Sequence, residues 1–382
     1  MKQFDVLIKN GRVFDPALGI DEARDIAVVD GLLAEVEPGK DVQAAQTIDA
    51  TGYTVSAGWI DVHGHLYENG MPNGLPVDLA SLPMGVTAII DAGSSGVANY
   101  PILLKYLRDN KTRGKMMLNV SACGIIMPSQ FPEPLDPKVW DMNLFKKAFK
   151  KGAGDIIALK VRVQKNVVGE LGMKPLIKAV EVGEELGVPV VVHTTDPCGT
   201  MTEVANCLRP GDVLCHMYHG TGETILDKNG KVYEGILRAR ERGVFFDAAS
   251  GRGNFSFEVA AKAIAQGFFP DTISTDITLQ NWNHVLAGAL PAVMTKYLAL
   301  GLDEKQIIEC VTAGAAVQFG TEGLGTLKAG TPADITIYDL ADRELSWRDK
   351  FGTVISTKKA FIPKCTIVNG EIFYRSTDCG LI

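Results

Sequence analysis

His63 and His65 stand two apart at the end of the apolar run GWIDVHGH. Side chains of a strand alternate faces, so residues i and i+2 point the same way. The pair therefore aims two imidazoles, the commonest metal-binding side chains, into one site; two loop histidines without a ligand are the alternative. His193 ends the run PVVVH, and His216 follows DVLC. Either alone reads equally as a core histidine, yet the chain has six histidines in 382 residues and four of them stand at three strand ends. Asp276 closes TISTD, where a carboxylate can ligate a metal and take a proton from bound water; taken singly, a helix N-cap is the simpler reading. Lys160 lies inside IIALKVRV. A lysine in such a strand is costly unless neutralised or paired. As a free amine it can react with carbon dioxide to give a carbamate able to bridge two cations. Arg162 shares that strand face and cannot lose its proton. A lysine pointing out between helices, or paired with Asp91 or Asp247, stays open.

Other residues near these strand ends are candidates for holding a substrate. His219, three residues after His216, can hydrogen-bond at the mouth of the site or be a plain loop histidine. Arg162 and Arg252 offer planar guanidinium forks to a substrate carboxylate, with a surface salt bridge as the ordinary alternative. Tyr67, Asn69 and Ser94 follow the first and second strands and can line a pocket. His284, in NWNHVLAGAL, reads as structural. Cys215 precedes His216, so strand alternation turns it away from the mouth as a core thiol.

The elements that must position these residues alternate. Eight apolar runs of strand length, ending at 65, 94, 124, 163, 197, 220, 251 and 277, are separated by helical patterns such as KPLIKAVEVGEELG. This predicts an α/β fold, a (β/α)8 TIM barrel over 56–323, with active groups at the C-terminal strand ends. A doubly wound open sheet competes, but it calls for a Gly-rich phosphate loop after the first strand, which here ends in DVHGH. Residues 1–55 and 324–382 share a different texture of short strands with turns at Asn10-Gly11, Asp30-Gly31 and Asn369-Gly370. The economical reading is one small β-sandwich domain formed by both termini; two separate edge hairpins are the alternative.

Lys and Arg number 38 against 45 Asp and Glu, a net charge of −7, which argues against nucleic acid and anionic membranes as partners. No apolar stretch is long enough to span a bilayer, and the start lacks a signal-peptide pattern. Seven scattered cysteines without a CxxC pair support neither a disulfide framework nor a cysteine-type zinc site, so a cytoplasmic location is expected.

The opening DVLIKNGRVFDP, the strand DVHGH and the tail GLGTLKAGTPADITIYD, together with the residues above, resemble the amidohydrolase superfamily in its binuclear branch with a carboxylated lysine. The resemblance covers nearly the whole chain. Within it, ALKVR, VVVHTTDP and CHMYHG look most like the amidohydrolase/deacetylase group, similar in mechanism to D-aminoacylases and dihydroorotases. The resemblance implies one divalent ion on His63, His65 and Asp276, a second on His193 and His216, and carboxylated Lys160 between them. Zinc suits such ligands, and manganese, iron and nickel also accept them. It further implies attack by a metal-bridging hydroxide on an acyl amide or ester, such as an N-acetyl amino acid or acetylated hydroxy acid, with Asp276 as general acid and base. The partner is then a small acylated molecule, with a homo-oligomer as a further expectation. One departure stands out: after the seventh strand the group's His-Gly loop is replaced by AASGRGNFSF. A cyclic-amide hydrolase of dihydroorotase or hydantoinase type is the second reading. A non-catalytic barrel is the third, disfavoured because all six candidate ligand positions are filled.

Overall fold

The computed structural model describes residues 3–37, 42–126, 133–282, 288–318, 320 and 323–381. His284 lies outside them. The centre is a curled, wholly parallel sheet of seven strands in chain order: Trp59–Gly64, Val86–Asp91, Arg113–Asn119, Ile156–Arg162, Val190–His193, Val213–Cys215 and Phe245–Asp247. Both faces of these strands are covered, which is why they read as continuous apolar runs. The helix Lys174–Leu186 shows the outer layer's logic. Pro175 sits in its first turn, Gly187 caps its end at φ 68°, and Leu176, Ala179, Val182 and Gly183 bury one stripe. Fully burying a side chain such as Leu176 contributes about 1.5–3 kcal/mol.

The eighth run behaves differently from the expectation. Residues 272–277 form no regular strand; they bridge Asp247 to Thr272 on one side and Gly64 to Ile277 on the other. Asp61 is the clamp for this segment: its carboxylate accepts from Thr275 Oγ1 at 2.6 Å, Thr275 N at 3.1 Å and His63 N at 3.3 Å. Burial, with Asp247 nearby, raises the Asp61 carboxyl to about 7 against the pull of these bonds. The first run is also split. Thr54–Ala57 pairs with Ile335–Arg348 in another sheet, and Gly58, whose N–H donates to the Asp334 carbonyl, marks the crossing into the central strand.

Two mixed sheets accompany the central one, each built from both chain ends. One orders Gly380–Leu381, Gln43–Asp49, Gln3–Lys9, Ile26–Val29 and Leu32–Ala34; the other orders Glu371–Arg375, Val354–Val368, Ile335–Arg348, Thr54–Ala57, Arg12–Asp15 and Ile20–Ala23. They share one apolar core that includes Val6, Ile8, Val13, Val55, Ile335 and Ile367. Asp30-Gly31 and Asn369-Gly370 do form two-residue hairpin turns. Asn10-Gly11 does not: the strands on its two sides belong to different sheets. The turn signal is local, whereas the choice of partner is made by the shared core. The long hairpin 335–368 reaches the central loops. Asp349 at its tip accepts from Phe257 N at 2.8 Å, and Lys350 Nζ donates to Thr221 Oγ1 at 2.9 Å. Among the described residues no helix is long and apolar enough to cross a membrane.

Candidate metal centre

Strand register assembles the site. Parallel pairing sets Lys160 beside Asn119, Arg162 beside His193, His193 beside Cys215, and Cys215 beside Asp247. At the end of the first strand the pairing slips between Asp61 and Gly64, an irregularity of the kind that re-aims side chains. His216 and Asp276 arrive by another route. Both hold left-handed backbone, φ 60° and 54°, a conformation that costs a non-glycine residue about 1–3 kcal/mol and persists only where surroundings impose it.

Three of the four imidazoles are held from behind. His63 Nδ1 lies 3.3 Å from Asp247 Oδ2, His65 Nδ1 3.0 Å from Ser94 Oγ, and His216 Nδ1 donates to the Ala249 carbonyl at 2.7 Å. Their other nitrogens are left for the centre: His63 Nε2 and His65 Nε2 stand 3.6 and 3.2 Å from Asp276 Oδ1. The rings of His193 and His216 are 4.3 Å apart, and those of His216 and His63 5.1 Å. Lys160, almost fully buried, places Nζ 3.4 Å from His63 Nε2 and 3.3 Å from Cys215 Sγ. It therefore points inward and pairs with neither aspartate considered from sequence. Asp91 accepts from the backbone of Leu66 and Ser94, and Asp247 serves His63, Thr272 and Ser274.

Electrostatics favour ligation by these groups. Burial, reinforced by Lys160, holds His63 well below the ordinary histidine range; burial and the neighbouring His216 do the same to His193. Burial takes His216 to about 3. These imidazoles are neutral, the form that binds cations. Burial opposes ionisation of Asp276, but the bond to His65 is the main pull against it, and the carboxyl is held below its usual value. Because His63 is neutral, its contact with Asp276 is not an ion pair; lone pairs converge there on a carboxylate. His193 Nε2 is buried with no hydrogen-bond partner among the described residues, a deficit that a cation would remove. His63, His65 and Asp276 form one set of donor atoms within 4.8 Å of one another, and His63, Cys215 and His216 form a second. The residues present fit a divalent metal group.

The centre opens into a cavity of about 240 Å³ lined in part by His63, His65, Lys160, Arg162, His193 and Asp276. A larger cavity of about 550 Å³, lined in part by Ile60, Ala88, Arg113 and Lys115, lies at the opposite strand ends and contains none of these groups.

The substrate candidates divide. Arg162 lines the cavity, bonded to Glu133 Oε1 at 2.5 Å and Gln164 Oε1 at 2.8 Å. Ser94 instead props His65. Tyr67 is packed in the core with its hydroxyl on the Asn99 carbonyl at 3.3 Å. Asn69 lines a neighbouring cavity. His219 is buried, neither ring nitrogen has a hydrogen-bond partner among the described residues, and it does not line the cavity. Arg252 is exposed and also stands off it. Proximity in sequence to a strand end suggested these five, but packing and backbone direction decide which side chains reach the opening.

Three contributors were not foreseen in these roles. Asp247 orients His63. Asn254 donates Nδ2 to Asp276 Oδ2 at 2.8 Å while its Oδ1 accepts from Thr195 Oγ1 at 3.0 Å. Cys215 faces the centre rather than away from it, because the left-handed turn at His216 lets adjacent residues share one side. The divergent loop AASGRGNFSF supplies Asn254 and also Gly251, at φ 50°, where a Cβ would collide with the Asp276 carboxylate.

Residues 54–373 match the model of the amidohydrolase family. The chain belongs to that family. This amidohydrolase is 31% identical over 346 residues to a deacetylase of Agrobacterium fabrum, covering 90% of this chain and 84% of the relative. It resembles a crystal structure of an adenine deaminase with TM-score 0.90 and 31% identity, covering 98% and 100% of the two chains. A crystal structure of a dihydroorotase gives 0.85 and 28%, covering 97% and 98%. The amidohydrolase is a hydrolase of C–N bonds acting on small molecules, and its family generally uses a binuclear divalent metal centre.

Asp247 yields a direct test of the orienting shell. Asp247→Ala removes the partner of His63 Nδ1, and such losses cost metal affinity about 10–100-fold. The dissociation constant measured by chelator competition should rise by that factor, and an unchanged constant would remove Asp247 from the centre.

Proposed function

We propose that this amidohydrolase removes an acyl group from an amide or ester of the N-acetyl amino acid or acetylated hydroxy acid type. In this reading His63, His65 and Asp276 would hold one divalent ion and His193 and His216 a second. Lys160, once carboxylated, would supply the anionic group between them, in a closed (β/α)8 barrel over 56–323 whose eighth stave is 272–277, with 1–55 and 324–382 as the small β domain. The carrying observation is the convergence of His63 and His65 on ionised Asp276 beside a buried lysine. The deacetylase relative adds support for the substrate class, and seven free thiols fit a cytoplasmic location.

When bound, two divalent ions, zinc by preference, would acidify a water and polarise the scissile carbonyl. The protein's part is positional. Asp276 Oδ1 faces the centre and accepts the attacking water's proton, then returns it to the leaving nitrogen or oxygen. Asn254 engages Oδ2, so the carboxylate keeps one orientation throughout. Asp247, Ser94 and the Ala249 carbonyl fix the three imidazoles before substrate arrives, so no reorganisation is needed at the reactive step. Arg162, whose buried Nε has no hydrogen-bond partner among the described residues, stands at the cavity to pair with a substrate carboxylate.

The dihydroorotase likeness favours a second reading, a cyclic amide. A panel of N-acetyl-D- and L-amino acids, acetylated 2-hydroxy acids, hydantoin, dihydroorotate and adenine separates them. Turnover of the acetylated compounds is expected; turnover confined to the rings would overturn the deacylase reading.

A further inference from the structure

We propose that Cys215 Sγ is a soft third ligand for a divalent cation shared with His63 and His216, so that the centre can take one thiophilic ion before Lys160 is carboxylated. The proposal rests on the two-metal reading and goes beyond it, since that reading gives Cys215 no role. One donor atom from each of His63, Cys215 and His216 lies within 4.8 Å of the others, and all three residues are buried. The set is distinct from His63, His65 and Asp276: it contains no carboxylate, and sulfur with imidazole selects soft or borderline ions where oxygen would not. Cys215 belongs to the inward layer, opposite both His193 and Asp247 in register. Its S–H donates to the Val192 carbonyl at 3.0 Å, and its sulfur accepts from Lys160 Nζ. A second observation points to a ligand at the same place: His193 Nε2, beside His216, is buried and has no hydrogen-bond partner among the described residues.

The chemistry balances without a redox step. Uncarboxylated Lys160 brings no anionic oxygen to the His193 and His216 side. A cation arriving there bonds to the neutral imidazoles and displaces the thiol proton to solvent, so the thiolate supplies the missing negative charge. Cys215 and Lys160 are in contact, so the sulfur lies where the first ion can be held while the amine awaits carbon dioxide.

The test is titration of metal-free chain with cadmium in carbon-dioxide-depleted buffer, in a Cys123→Ser background that removes the exposed thiol. Ultraviolet absorption and cadmium content are read together. The expected result is a thiolate-to-cadmium charge-transfer band that saturates at one equivalent, survives Lys160→Ala, and disappears in both Cys215→Ser and Cys215→Ala while their circular dichroism is unchanged. Cadmium bound without the band, or a band persisting in the Cys215 variants, overturns the proposal and leaves the two-metal reading standing. A folded chain that binds no cadmium overturns both.

Discussion

Asp276→Asn should lower kcat by about 10²–10⁴-fold, the usual contribution of a positioned general acid and base, while KM changes little and most bound metal is retained. The amide keeps an oxygen that can face His63 and His65, so the site is not dismantled, but it cannot take the proton of the attacking water. Asn254 supplies the control: its Nδ2 donates to Asp276 Oδ2, and an asparagine at 276 with its oxygen towards the histidines presents there an NH2 that cannot accept. Retained metal and an unchanged circular dichroism spectrum separate lost proton transfer from a displaced loop. Steady-state kinetics on whichever acetylated substrate the panel identifies, with metal content measured in parallel, checks this. Full activity in Asp276→Asn would refute the proton-transfer role.

Lys160→Ala should reduce bound metal towards one ion per chain or none, with turnover falling in step. Among the described residues Lys160 Nζ lies within hydrogen-bonding distance of His63 Nε2 and Cys215 Sγ and of no carboxylate oxygen. A buried amine without a close counterion is costly to keep charged. On the proposed reading its reaction with carbon dioxide, with loss of a proton, would give a carbamate that the bound cations balance. Gly93 shows how closely the lysine stem is accommodated, since a Cβ there would stand 2.6 Å from Lys160 Cβ at φ 83°. Unchanged metal stoichiometry in Lys160→Ala would show that the bridge is wrong. Partial recovery of metal by a short-chain carboxylic acid added to the variant would support it.

Strand ends and alternation made much of this centre legible in the amino-acid sequence. His63, His65 and His193 can be placed from local pattern because each ends an apolar run. His216 and Asp276 were identified by position, but their approach to the centre depends on left-handed backbone that no propensity announces. For the same reason Cys215 was assigned to the wrong side: alternation permits one of residues 215 and 216 to face inward, and the turn at His216 permits both. Asp247 and Asn254 act on partners 184 and 22 residues away, so their roles emerge only once strands are in register. The fold shows the same division. Hairpins at Asp30-Gly31 and Asn369-Gly370 follow from two-residue turn chemistry. Asn10-Gly11 carries the same signal, yet the shared core of the two mixed sheets sends the strands on its two sides apart. The run 55–65 reads as one strand because nothing local marks Gly58 as a crossing, and 271–277 reads as a regular strand although its bonds are divided among Asp61, the 248–251 segment and the first strand.

The central claim, that six side chains from five strand ends grip a pair of cations, is tested most directly by elemental analysis of the purified chain alongside its activity before and after exhaustive chelation. The expected result is two equivalents of divalent metal per chain, loss of activity as they are removed, and recovery when zinc and bicarbonate are returned. A chain that carries no metal and still turns over its substrate at the full rate would contradict it.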